Sequence, residues 1–260
     1  MILLIFEGKR EDTIYKSLEA LYFSSLPKDE PIVRVYDGNI YDLYYTYKKY
    51  GGDVDIVSLL KERFEKRGEQ IFDNTVKVSD FGEIYLFFDY DFHHGNRPLE
   101  ELNNQVQQML SVFDNETETG KLYISYPMIE ALRYTKQLPD NDFYYYTANR
   151  DDSKHFKEIA AEFSIYKNSD FITYKTNYTL EVRNEVRHNW AMLIEQNVKK
   201  ANWLCTGKKS LPIKIENVVP QKLFDVQLRD YVIPDEIVSI ISAFAMFLYD
   251  YFGRKIIENV

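Results

Sequence analysis

The residues that invite chemistry are carboxylates, and their spacing is specific. Glu7 follows the apolar run Ile2–Phe6, and Glu11 lies one helical turn further on. Asp89 and Asp91 form an Asp-x-Asp pair directly after Ile84–Phe88, and Glu130 follows Lys121–Ser125. In open α/β sheets ligands bind beyond the carboxyl ends of the parallel strands, where all five acids fall if those runs are strands. Carboxylates at that density repel and raise one another's pKa unless a cation neutralises them. A hard divalent ion such as Mg²⁺ does so, and completes its shell with water and substrate phosphate oxygens. Residues i and i+2 of an extended stretch project to the same side, so both aspartates would face one ion. Such a set supports metal-assisted phosphoryl transfer. Taken singly, each acid has a plainer reading: Asp ends strands in turns, and Glu near a helix start favours its dipole.

The elements that must position these acids can be traced along the chain. Ile2–Phe6 reads as a strand buried on both faces, and Arg10 to Phe23 has helical spacing after the Glu7-Gly8 turn. Ile32–Tyr36 is a second strand closed by Asp37-Gly38, and 40–68 is helical with a break at Gly51-Gly52. Ile84–Phe88 is the strongest strand, Pro98 opens a helix through Phe113, and Gly120 opens a fourth strand leading into a helix near Met128. This alternation predicts an α/β fold: a mostly parallel four-stranded sheet flanked by helices over residues 1–138. Beyond Leu138-Pro139 the rhythm stops. Phe156–Phe163, Leu180–Asn202 and Asp235–Ile257 read as helices, so 139–260 is expected to be a mainly helical domain.

Composition narrows the class. The chain has 260 residues, 45% hydrophobic and 28% charged, with a net charge of −9. Residues 1–149 carry a net −10 and residues 150–214 a net +4, so a polyanion would be met locally. The single Cys205 rules out an intramolecular disulfide and a Cys-rich zinc site, and fits a reducing, cytoplasmic setting. Met1–Phe6 lacks the basic start of a signal peptide, and Ile237–Tyr249 falls short of the roughly 20 residues that span a bilayer. No membrane span is expected.

Other residues are candidates of second rank. Lys9 and Arg10 sit at a helix start where a phosphate could bind, and His93-His94 follow Asp91 directly. Arg133 lies one turn past Glu130. Arg183, Arg187, Lys199 and Lys200 share a helix with His188 and Trp190, a pattern that grips single-stranded nucleic acid, although interleaved Glu181, Glu185 and Glu195 also fit a solvated surface. Tyr144-Tyr145-Tyr146 reads as packing before stacking platform. The apolar C-terminal helix implies burial against the chain or a homodimer contact.

Phe6-Glu7-Gly8-Lys9-Arg10-Glu11 and Phe87-Phe88-Asp89-Tyr90-Asp91 together resemble the two motifs of the TOPRIM domain, in which Glu-Gly and a further acid follow the first strand and Asp-x-Asp a later one. Ser125-Tyr126-Pro127-Met128-Ile129-Glu130 further resembles the Ser-x-Pro-x-x-Glu element of small TOPRIM nucleases of bacterial anti-phage and abortive-infection systems, among them the OLD-type nucleases and the PARIS, RloB and AbiL groups. The resemblance covers residues 1 to about 138 and implies a Rossmann-like sheet. It further implies Glu7, Asp89 and Asp91 as principal ligands of Mg²⁺ or Mn²⁺, with Glu11 and Glu130 serving a second ion or its waters. The activity implied is an endonuclease acting on DNA or transfer RNA, a prokaryotic toxic effector held by an ABC-type ATPase. The chain leaves no room for topoisomerase gates, and one cysteine excludes the zinc modules of primases and recombination mediators. Two alternatives stand beside it: a non-catalytic subunit that binds Mg²⁺ and nucleic acid, and an Asp-x-Asp phosphotransfer enzyme.

Overall fold

In the computed structural model, residues 1–23, 31–166 and 168–258 are described, the side chains of 31, 32 and 96 excepted. The central sheet contains β1 (Ile2–Phe6), β2 (Pro31–Val35), β3 (Glu83–Asp89), β4 (Asp114–Asn115) and β5 (Gly120–Ser125) in the order β2-β1-β3-β5-β4. The first three and β5 run parallel, as the alternation requires, with Phe6 opposite Val35 on one side and Phe87 on the other. The two-residue β4 is antiparallel and makes a fifth strand. Nothing in Asp114-Asn115 marks a strand, because its pairing depends only on the turn back into β5. Crossovers are supplied by α1 (Lys9–Leu18), α2 (Ile40–Lys49), α3 (Ile56–Glu65) and α4 (Leu99–Val112). The break at Gly51-Gly52 does separate two helices.

The later half departs from the sequence reading in instructive ways. After β5 the chain forms a short 3₁₀ turn, Ile129–Arg133, where a helix beginning near Met128 was expected. Phe156–Phe163 is helical, with Arg150–Ser153 a short helix before it; these are α6 and α5, preceded by β6 (Thr147–Asn149). α7 runs from Leu180 to Thr206, followed by α8 (Pro220–Gln227) and a single turn α9 (Ile233–Asp235). The expected helix Asp235–Ile257 is instead β7 (Ile237–Ser239), paired antiparallel with β6, then α10 (Ala243–Phe252) and α11 (Lys255–Glu258). β-Branched Ile237-Val238 and Ile240-Ile241 favour extended backbone once β6 offers a partner.

α10 explains why its sequence is apolar nearly all round. It lies on the sheet, with Phe244 stacked on Phe87 at 5.0 Å between ring centroids and Phe247 at 4.9 Å from Tyr85. Its outer side meets α7. Ala243 to Tyr249 are all buried within the chain, so the homodimer contact expected of this helix has no free apolar surface there. The core runs without a break from Ile2 to Ile256, and residues 139–260 contribute to it directly. Among the described residues no helix is long and apolar enough to cross a membrane.

Gly120 shows how closely β3 and β5 approach. Its φ is 105°, and an added Cβ would lie 2.8 Å from Leu86 Cδ1. Gly120→Ala is therefore expected to lower stability by roughly 1–3 kcal/mol through backbone strain and local overpacking. Urea denaturation should show a lower midpoint at unchanged m-value; an unchanged midpoint would remove this account of the glycine.

Candidate functional site

The carboxylates meet because of strand register. Phe6 lies opposite Phe87, so Glu7 emerges beside the end of β3, and its own N–H continues the sheet by donating to the Phe87 carbonyl at 3.0 Å. Across the pair, the Asp89 N–H donates to Glu7 Oε2 at 2.9 Å. Glu11, on the first turn of α1, turns back to accept from the Gly8 N–H at 3.2 Å. Asp91 does not lie in an extended stretch: its φ is 43°, a left-handed conformation that Asp tolerates better than most residues. The expectation that Asp89 and Asp91 project alike as neighbours on a strand therefore fails. The chain turns at Asp91, held by the Asp91 N–H to the Pro127 carbonyl at 3.3 Å, and the two acids remain close enough for the charge of Asp91 to raise Asp89.

Glu11, Asp89 and Glu130 are buried, and Glu7 and Asp91 half-buried. Burial and then the charge of Asp91 raise Glu7 from 4.5 to about 9, against the opposing Asp89 N–H. Burial raises Glu11 to about 7 and Asp91 to about 6. Asp89 is pushed well above the usual carboxylate range by burial and by Glu7, Glu11 and Asp91. Glu130 differs: Arg10 forms an ion pair with it. The structure thus gives the fifth acid an ion-pair partner; among the described residues no Lys or Arg forms an ion pair with the other four, although the Arg10 charge also acts on Glu11 and Asp89. Sequence spacing could place Arg10 on α1 but not opposite the 3₁₀ turn.

The set is all oxygen, hard and short of positive charge, which is the donor chemistry that Mg²⁺ or Mn²⁺ takes. Among the described residues, no three His, Cys, Asp or Glu side chains converge closely enough to hold one ion. The donor types suit such an ion, while the arrangement described forms no coordination set.

No family model, curated protein or solved structure matches this chain. The likeness to TOPRIM proteins therefore rests on the residues already named and on their place in a parallel sheet.

The remaining candidates divide by position. Arg10 touches the site through Glu130, and Lys9 is exposed beside it. His93 and His94 lie on the loop after Asp91, where Arg150 donates to the Phe92 and Arg97 carbonyls at 3.0 and 2.6 Å and fixes its path. Arg133 is buried and donates to the Lys157 carbonyl at 2.8 Å. Arg187 stands over Tyr22, 5.5 Å from the ring centroid, in the π-helical turn that continues α1. That is the far end of α1 from Glu11, on the order of 15 Å away, and Arg183 lies one turn before Arg187 on α7. Neither arginine joins the carboxylates. Lys200 is fully buried against the Tyr146 carbonyl, so its charge is not available to a polyanion. Trp190 is buried too, and donates to the Ile172 carbonyl. Sequence reasoning missed Arg150, Asn39 and Ser153; only Asn39, before an apolar helix start, carries a local cap signal.

Two outcomes test this geometry. The four raised carboxylates bind more protons in the folded than in the unfolded chain, so in a chelator stability should fall as pH rises from about 4.5 toward 9. Mg²⁺ or Mn²⁺ should offset the fall, and Glu7→Gln should flatten it; thermal unfolding across that range reads both, and a rising curve would refute the cluster. Separately, Arg10→Met leaves Glu130 buried and unpaired. Because Arg10 is partly exposed, the expected cost is discounted to roughly 1–3 kcal/mol. Adding Glu130→Gln should recover most of it in denaturant unfolding.

Proposed function

We propose that the chain is a metal-dependent nuclease of TOPRIM type, hydrolysing phosphodiesters of nucleic acid. The observation that carries this reading is the group Glu7, Glu11, Asp89 and Asp91 at the carboxyl ends of adjacent parallel strands. Each is raised by burial, and none is ion-paired among the described residues, while neighbouring Glu130 is neutralised by Arg10. A structural role alone would favour a paired or protonatable single acid; four together match a site completed by divalent cations.

In this reading Glu7, Asp89 and Asp91 would hold the principal ion, and Glu11 would serve a second or its water. When bound, the ions supply Lewis-acid polarisation of the phosphate and a lowered pKa for water. Asp89 has a double part, since its N–H orients Glu7 while its carboxylate binds. Arg10, partly exposed at the rim, keeps Glu130 in place and offers a cation to an arriving phosphate. The motif resemblance supports a place in anti-phage defence, with an ABC-type ATPase as the restraining partner.

Cleavage of RNA and DNA should be measured with Mg²⁺ or Mn²⁺, for the chain alone and with such an ATPase. Glu7→Gln and Asp89→Asn are expected to slow it by more than about a hundredfold, beyond the effect of groups that only support a ligand. Equal cleavage by wild type and both variants would remove the proposed site. Calorimetric titration with Mn²⁺ separates the non-catalytic reading, in which the ion binds and no strand is cut.

A further inference from the structure

The loop after Asp91 holds two consecutive histidines in opposite tautomers. Ser153 is fully buried, and its Oγ lies 2.7 Å from the Arg150 carbonyl and 2.8 Å from His93 Nδ1. A carbonyl only accepts, so the single hydroxyl hydrogen goes to Arg150. Ser153 Oγ must then accept from His93, which places the ring hydrogen on Nδ1 and leaves a lone pair on Nε2. Asn39 imposes the reverse on His94. Its Oδ1 caps α2 by accepting from the Asp42 N–H at 3.0 Å, which turns Nδ2 toward His94 Nδ1 at 3.3 Å. The amide donates, so His94 Nδ1 accepts and the ring hydrogen sits on Nε2. The His94 ring is further held by stacking on Tyr41 at 5.0 Å.

Neither Nε2 has a hydrogen-bond partner among the described residues, and both rings are half-buried. The loop thus presents one donor and one acceptor from adjacent residues. An anion repels a lone pair, so His93 Nε2 suits a donor such as a hydroxyl, while His94 Nε2–H suits a phosphate oxygen. Burial and then His94, Lys154, Arg150 and His155 act on the His93 ring, and burial, Arg97 and Asp42 on that of His94. The pair follows Asp91 closely on its loop, and its neighbours are mostly cationic, a setting that suits a nucleic-acid backbone.

Resting on the nuclease reading above, we propose that His94 holds a backbone phosphate through Nε2–H while His93 accepts the 2′-hydroxyl of the adjoining sugar, so that the pair selects ribonucleotides. In nucleic acid the 2′-hydroxyl is the hydroxyl donor found next to every internal phosphate, and DNA lacks it.

The test reads tautomers and binding. Long-range ¹⁵N–¹H correlation at pH 8, above the ordinary imidazole pKa of 6.5, should show His93 protonated at Nδ1 and His94 at Nε2. Fluorescence anisotropy in Ca²⁺ should show a short single-stranded RNA binding about tenfold more tightly than the same DNA or 2′-O-methyl sequence, the worth of one hydrogen bond. His93→Phe should abolish that difference with DNA affinity unchanged, and His94→Phe should weaken RNA and DNA alike. Identical tautomers, or equal affinity for all three strands, would overturn the proposal while leaving metal-dependent cleavage intact. Failure to bind any strand would overturn it together with the nuclease reading.

Discussion

The hydrogen bond from the Asp89 N–H to Glu7 Oε2 is the contact on which the rest of the site depends. It forms because β1 and β3 are parallel neighbours in a register that ends both strands at one edge of the sheet. A carboxylate fixed there lies within reach of Asp91 and Glu11, and each added acid increases the charge that burial already penalises. Two unit charges about 4 Å apart repel by about 4 kcal/mol at the effective dielectric of a protein surface. The fold therefore carries, at one edge, an electrostatic deficit that protons or cations must relieve.

The chain relieves it unevenly. Arg10 answers Glu130, and backbone N–H groups of Gly8, Asp89 and Ile129 answer part of the remainder. These dipoles orient the acids without neutralising them. The same loop that turns at Asp91 continues into two histidines whose ring hydrogens are set by Ser153 and Asn39. Rigidity comes from behind: Tyr41 donates to the Tyr90 carbonyl at 2.5 Å, and Arg150 reaches the loop from the later half of the chain. Positions 240–243 reinforce it at the end of β5, where Tyr126 and Ile241 exchange backbone hydrogen bonds. The C-terminal segment is thus part of the wall that holds the site, as well as the covering of the sheet by α10.

Much of this was legible in the linear chain. The runs Ile2–Phe6 and Ile84–Phe88, the Gly51-Gly52 break and the Pro98 helix start all appear in the structure, since apolar periodicity and turn chemistry act over a few residues. The acids at strand ends were legible for the same reason: a strand-terminating position is a local property. β4, β7 and the 3₁₀ turn at Ile129 were not, because each depends on a partner distant in sequence or on a turn too short to show a period.

The sequence by itself determined the α/β order and the identity of Glu7, Glu11, Asp89, Asp91 and Glu130 as candidates. Only the tertiary structure decided which of them forms an ion pair. Arg10 pairs with Glu130 across elements that no spacing rule connects, Lys200 is withdrawn into the core, and Arg183 and Arg187 are carried to the far end of α1. It likewise decided the tautomers of His93 and His94, through Ser153 and Asn39, 60 and 55 residues away in the chain. The physical reason is common to all of these. Residue type sets what charge or hydrogen a side chain has to offer, but burial and the partner across the fold set whether that charge is neutralised and where the hydrogen resides.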